Sequence, residues 1–195
     1  PLAVARPRNI NDIEKLISFA HENKTSLIPR TAGTSLAGQV VGSGIVVDVS
    51  RYMTRIIEIN EKEKWVRVEP GVILDELNQI VAAHGLFFGP ETSTSNRCMI
   101  GGMVGNNACG AHCIIYGSTR DHIISLNVIL SDGSKVEMKS LSSEDFSEKC
   151  KGETLENKIY RKINGILSDP GNQKRIREEY PDKNILLHPL LLRQS

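Results

Sequence analysis

No apolar run in the 195 residues approaches the roughly 20 needed to cross a bilayer, so any membrane contact is expected to be peripheral. Cysteine is sparse. Cys98, Cys109, Cys113 and Cys150 are too few and too scattered for a disulfide scaffold, and no charged-then-apolar leader opens the chain. A reducing, cytoplasmic setting is the expectation. Charge of one sign is missing as well: a formal net charge of +1, with Lys, Arg, Asp and Glu interleaved, gives no basic stripe and little support for a nucleic-acid partner. The single tryptophan, Trp65, lies in a strand pattern where cross-strand packing accounts for it. Neither G-x-x-x-x-G-K-[ST] nor G-x-G-x-x-G occurs, which excludes the P-loop and the usual Rossmann fingerprint. Without a C-x-x-C pair, Cys98, Cys109 and Cys113 make a poor zinc or iron-sulfur site, and no metal is expected. No internal repeat or low-complexity segment is present.

The content that remains is that of a globular α+β chain, 39% hydrophobic and long enough for one domain or two packed subdomains. Residues 9–24 predict an amphipathic helix: Asn9 and Asn11 offer starts, Asp12 and Glu14 suit the first turn, and Ile13, Leu16, Ile17 and Ala20 share a face. Residues 26–29 and 44–49 read as strands around a small-residue loop, the second of the buried parallel type, giving a βαβ-like opening. Residues 55–59 and 64–68 alternate across a polar turn as a hairpin, where a second sheet begins. A helix over 73–84 should turn Ile73, Leu77, Ile80 and Val81 inward and stop at Gly85. A hairpin around Asp132-Gly133 is expected to add two strands to that second sheet. Beyond residue 140 charge dominates, with helices expected over 155–167 and 172–179, a solvated face over 144–156, and an apolar ending from Ile185 that resolves nothing.

Two segments carry chemistry. In Pro29-Arg30-Thr31-Ala32-Gly33-Thr34-Ser35-Leu36-Ala37-Gly38-Gln39, the glycines permit close backbone approach, Thr34 and Ser35 offer hydroxyl donors, and Arg30 adds charge, as an anion cradle requires. In Ile100-Gly101-Gly102-Met103-Val104-Gly105-Asn106-Asn107-Ala108-Cys109-Gly110, paired glycines leave room for a flat ring or a pyrophosphate against the main chain, and Asn106 and Asn107 can donate amides. Each has a plainer reading: a surface loop between strands for the first, and close packing of a short helix on a sheet for the second. Together they suggest one large dinucleotide.

With these segments, Val68-Glu69-Pro70-Gly71-Val72, His84-Gly85-Leu86, Tyr116-Gly117-Ser118-Thr119 and Leu130-Ser131-Asp132-Gly133 complete an ordered set of blocks. Residues 1–138 resemble the FAD-binding domain of the FAD-linked oxidase family, also called the PCMH or vanillyl-alcohol-oxidase type. The resemblance is greatest to its glycolate oxidase and D-lactate dehydrogenase branch, and to long bacterial members with a fused iron-sulfur domain.

The resemblance implies an α+β, two-subdomain PCMH-type fold, a small parallel βαβ subdomain (residues 1–50) packed against a larger mixed or antiparallel sheet with helices (residues 51–140, incomplete). A charged helical segment with a truncated-looking end follows (residues 141–195). It also implies that Arg30, Thr31, Ala32, Gly33, Thr34 and Ser35 contact the diphosphate of FAD. Pro90, Ser95, Cys98, Gly101, Gly102, Asn106, Ala108 and Gly110 would line the flavin and ribityl path. The commonest family loop has glycines at Thr31 and Ala32, and covalently flavinylated members often carry histidine at Thr34, so noncovalent FAD is expected. The implied activity is oxidation of a small-molecule 2-hydroxy acid of the D-lactate or glycolate class by hydride transfer to FAD, with electrons passing to an acceptor or an iron-sulfur domain of the parent protein. The alternative is a non-catalytic FAD-binding module that needs a separate substrate domain. His112 and His122 are the histidines nearest the second segment, more readily structural hydrogen-bonders than the catalytic base, whose place is expected outside this chain.

Overall fold

A computed structural model describes residues 1–180, and the apolar ending read from Ile185 lies outside them. The described residues fall into two compact units, Pro1–Ile123 and a second that begins at Ile124.

The first unit opens on three parallel strands, β1 (Ala3–Ala5), β2 (Leu27–Arg30) and β3 (Ile45–Asp48), in the order β1-β3-β2. The central place of β3 explains its unbroken apolar run: Ile45, Val46 and Val47 are all buried, as a strand covered on both faces must be. Helix α1 (Ile10–Glu22) connects β1 to β2. It starts where Asn9 accepts a hydrogen bond from the Asp12 amide at 3.1 Å, the cap expected from sequence.

Next come the antiparallel hairpin β4 (Ile56–Asn60) and β5 (Trp65–Val68), then α2 (Leu74–Ala82), α3 (Ile100–Asn106), α4 (Cys113–Tyr116) and a 3-10 turn, Thr119–His122. Val72, Leu74, Leu77, Val81, Cys98, Ile100 and Met103 form the core, with Val66, Val68, Leu86 and Phe88 packed against it. The inward stripe of α2 is therefore Leu74, Leu77 and Val81. Ile80, expected inside, is 47% exposed, because at helical spacing it falls beside that stripe. The start of α3 is tied to the segment before α2 by Ile100 N–H to Val72 O and Gly101 N–H to Pro70 O, at 2.9 and 2.8 Å.

The second unit contains the hairpin β6 (Ser125–Ile129) and β7 (Lys135–Lys139), followed by α5 (Ser143–Lys149), α6 (Leu155–Ser168) and α7 (Pro170–Glu179). Gly133 at φ +85° and the Asp132 carboxylate, accepting from Ser134 N–H, make the turn. Among the described residues this hairpin is a two-stranded sheet of its own, and so is β4-β5. A turn signal fixes pairing between neighbours and says nothing of a more distant edge. The charged run 144–156 is likewise more than a solvated face. Ser142 caps α5, Phe146 meets Tyr160 edge to face at 5.6 Å, and Lys149 pairs with Glu156.

Candidate functional site

Residues 31–39 leave the carboxyl end of β2, the edge at which parallel sheets present their ligand crevices. Gly33 and Gly38 adopt φ of +69° and +74°, so the loop reverses where other residues would be strained. The Arg30 guanidinium folds back over Gly33: a Cβ there would stand 3.1 Å from Arg30 Nε. Thr31, Ala32, Gly33, Thr34 and Ser35 are half-buried. Among the described residues, no backbone amide from 31 to 39 donates to an acceptor within the protein. The loop thus sets a guanidinium beside Gly33 in a segment whose N–H groups are unspent.

The second segment meets the first. A Cβ on Gly102 would overlap the Thr31 hydroxyl, and Gln39 Nε2 donates to Asn106 Oδ1 at 3.4 Å. Thr31 thus faces a glycine that makes room for it. Gly101 packs on Pro70, and Gly110 lies so close to the Glu91 carbonyl that a Cβ there would overlap it. The Cα hydrogens of these three glycines are directed at protein, which is the close-packing role.

Around them the segment is firmly held. Asn107 closes α3 in the left-handed region at φ +47°, with its Oδ1 accepting from Arg120 N–H at 2.9 Å. The carbonyl of Ala108 accepts both the amide and the hydroxyl of Thr119, a fully buried residue. Pro90 and Cys98 are buried, the Cys98 thiol lies 3.2 Å from Thr92 Oγ1, and Ser95 O accepts from Asp75 N–H at 3.2 Å. Sequence reasoning missed Glu91, which no periodicity marks, the bonding of Thr119 to Ala108, and the linking role of Gln39, although Thr119 and Gln39 stood inside segments already singled out.

Both histidines have protein partners. His112 Nδ1 lies 2.8 Å from Glu91 Oε2, and His122 Nε2 lies 2.6 Å from the Tyr116 carbonyl with its ring 5.4 Å from Phe88. Among the described residues no group of His, Cys, Asp and Glu is placed to hold a metal ion.

The chain is similar to known proteins. The D-2-hydroxyglutarate dehydrogenase of Escherichia coli is 43% identical over 166 residues, which are 84% of this chain and 16% of that protein. A glycolate oxidase subunit of Bacillus subtilis is 35% identical over 134 residues, 68% of this chain and 28% of that protein. The chain thus spans only a minor part of the relatives it matches. Among solved structures, the carbohydrate oxidase of Microdochium nivale superposes with a TM-score of 0.64 at 22% identity, over 73% of this chain and 30% of that one, a likeness of fold. The FAD binding domain family matches residues 1–139, which take in both loop segments, and this chain belongs to that family.

Proposed function

We propose that this chain is the FAD-binding part of a flavin-dependent dehydrogenase that oxidises a small 2-hydroxy acid. The observation that carries the reading is the run of unspent amides in residues 31–39, with the Arg30 guanidinium beside Gly33 and the loop in contact with the second segment. Those groups suit a diphosphate: Arg30 supplies the positive charge, and the main chain from Thr31 to Ser35, with the Thr34 hydroxyl, supplies donors. Pro90, Ser95, Cys98, Asn106 and Ala108, with the main chain of Gly101, Gly102 and Gly110, would flank the ring and ribityl chain. Bound FAD would supply the hydride acceptor that no side chain provides. The work of this chain is to hold and orient it and to exclude water. With threonine at position 34, attachment is noncovalent.

The names of the relatives, D-2-hydroxyglutarate dehydrogenase and glycolate oxidase subunit, support a 2-hydroxy acid as substrate. The substrate-binding groups, the catalytic base and the electron acceptor or iron-sulfur partner belong to other parts of a longer protein, placed in the cytoplasm with at most peripheral membrane contact. A second reading is an FAD-binding module without catalysis of its own.

The test is visible absorbance after FAD reconstitution, desalting and acid precipitation. Colour that survives desalting and then enters the acid supernatant is the expected result. Colour in the pellet would overturn the noncovalent assignment, and no retained colour would overturn FAD binding by this chain. Full-length protein that binds FAD yet oxidises no 2-hydroxy acid would leave the module reading.

A further inference from the structure

Ser35, Gln39 and Asn106 are joined head to tail. The Ser35 hydroxyl donates to Gln39 Oε1, and Gln39 Nε2 donates in turn to Asn106 Oδ1 at 3.4 Å. A hydroxyl has one hydrogen to give, and a side-chain amide has one oxygen and one NH2 group. The chain therefore has a direction. With its proton given to Gln39, the Ser35 hydroxyl presents lone pairs on its other side. Gln39 turns its NH2 toward Asn106, and Asn106 turns Oδ1 toward Gln39, so the NH2 of Asn106 is directed away from the relay.

The relay crosses from the first segment to the last residue of α3, joining positions 67 residues apart. Gln39 and Asn106 are exposed and Ser35 is half-buried, and neutral hydrogen bonds in contact with water add little to folding. Its consequence is the orientation of one amide. On the FAD reading given above, we infer that Gln39 is a positioning residue. Acting through Asn106, it holds that side chain as a hydrogen-bond donor toward an acceptor atom of FAD, and it does not touch FAD itself.

A double-mutant cycle on FAD affinity, read by quenching of flavin fluorescence, tests this in the 195-residue chain. Gln39→Ala should weaken binding by about threefold to tenfold, the range expected for one misoriented hydrogen bond. Asn106→Ala should weaken it at least as much, and the double variant no more than Asn106→Ala alone, with the unfolding midpoint unchanged throughout. Additive losses would mean that Gln39 meets FAD directly, and a silent Gln39→Ala would mean that it does nothing; either overturns the inference. The relay has its own readout in the side-chain amide resonances. Ser35→Ala should shift those of both Gln39 and Asn106, and an unmoved Asn106 pair would show that no relay exists. If wild type takes up no FAD while the resonances shift as expected, the FAD reading has failed, and with it the role of Gln39, although the relay stands.

Discussion

Glycine is the residue whose meaning the structure changes most. Gly101, Gly102 and Gly110 all have a protein atom where a side chain would begin, whereas Gly105, in the same helix as the first two, has open space there. Two alanine substitutions should therefore act in opposite directions. Gly110→Ala must displace the Glu91 main chain and should cost about 3 kcal/mol or more, at the upper end of overpacking costs. Gly105→Ala should gain about 0.5–1 kcal/mol from helix propensity. Urea midpoints of the two variants check this, and equal effects would contradict the packing described. Another residue-scale consequence concerns Glu69, a buried carboxylate that accepts from the Arg55 guanidinium at 2.7 Å and from the Arg55 amide at 2.9 Å. The side-chain hydrogen bond from Arg55 holds its pKa below the ordinary value, against the opposing effect of burial. A depressed carboxylate stabilises the fold above its unfolded pKa of about 4.3, and that contribution fades as pH falls through the lower folded value. Glu69→Gln should thus lower the urea midpoint at pH 7 and make the midpoint less sensitive to acid below about pH 4 than in wild type.

Among the elements, the long helices were legible because their ends and their stripes are local. Asn9 was named as a start for α1 and is its cap, and the helices expected over 155–167 and 172–179 appear as α6 and α7. Asn9→Ala should cost about 1 kcal/mol, as loss of a cap does, and a thermal or urea unfolding curve would show it. The inward face of α2 was only partly legible. Ile73, Leu77, Ile80 and Val81 are all apolar, so composition alone could not say which of them the core would take. Leu77→Ala should cost about 2–5 kcal/mol and Ile80→Ala far less, since only Leu77 leaves a cavity. Comparable losses would put the stripe in the wrong place. The short helices α3, α4 and α5 carried no period long enough to read, and α3 begins on bonds to Pro70 and Val72 supplied by a segment distant in sequence.

At the scale of the molecule, everything assigned to the cofactor lies in the unit Pro1–Ile123, and none of it in the unit that holds α5, α6 and α7. Hydrogen exchange should record that division. With FAD at about a hundred times its dissociation constant, mass action stabilises a binding unit by about 2.7 kcal/mol. Slowed exchange is therefore expected at residues 29–39 and 90–110 and not in α6 or α7. Protection confined to the second unit would contradict the placement of the site. The sequence by itself determined the parallel opening, the two hairpins, the principal helices, the two small-residue segments and the family, because each is written in spacing between near neighbours or in motifs of a few residues. Only the tertiary structure decided that Thr31 fits against Gly102, that Gln39 reaches Asn106, that Ser35 gives its proton to Gln39, and that three glycines serve packing. Those are contacts between residues far apart along the chain, where one Cβ more or one hydrogen less decides the outcome, and no local pattern encodes where a distant atom will stand.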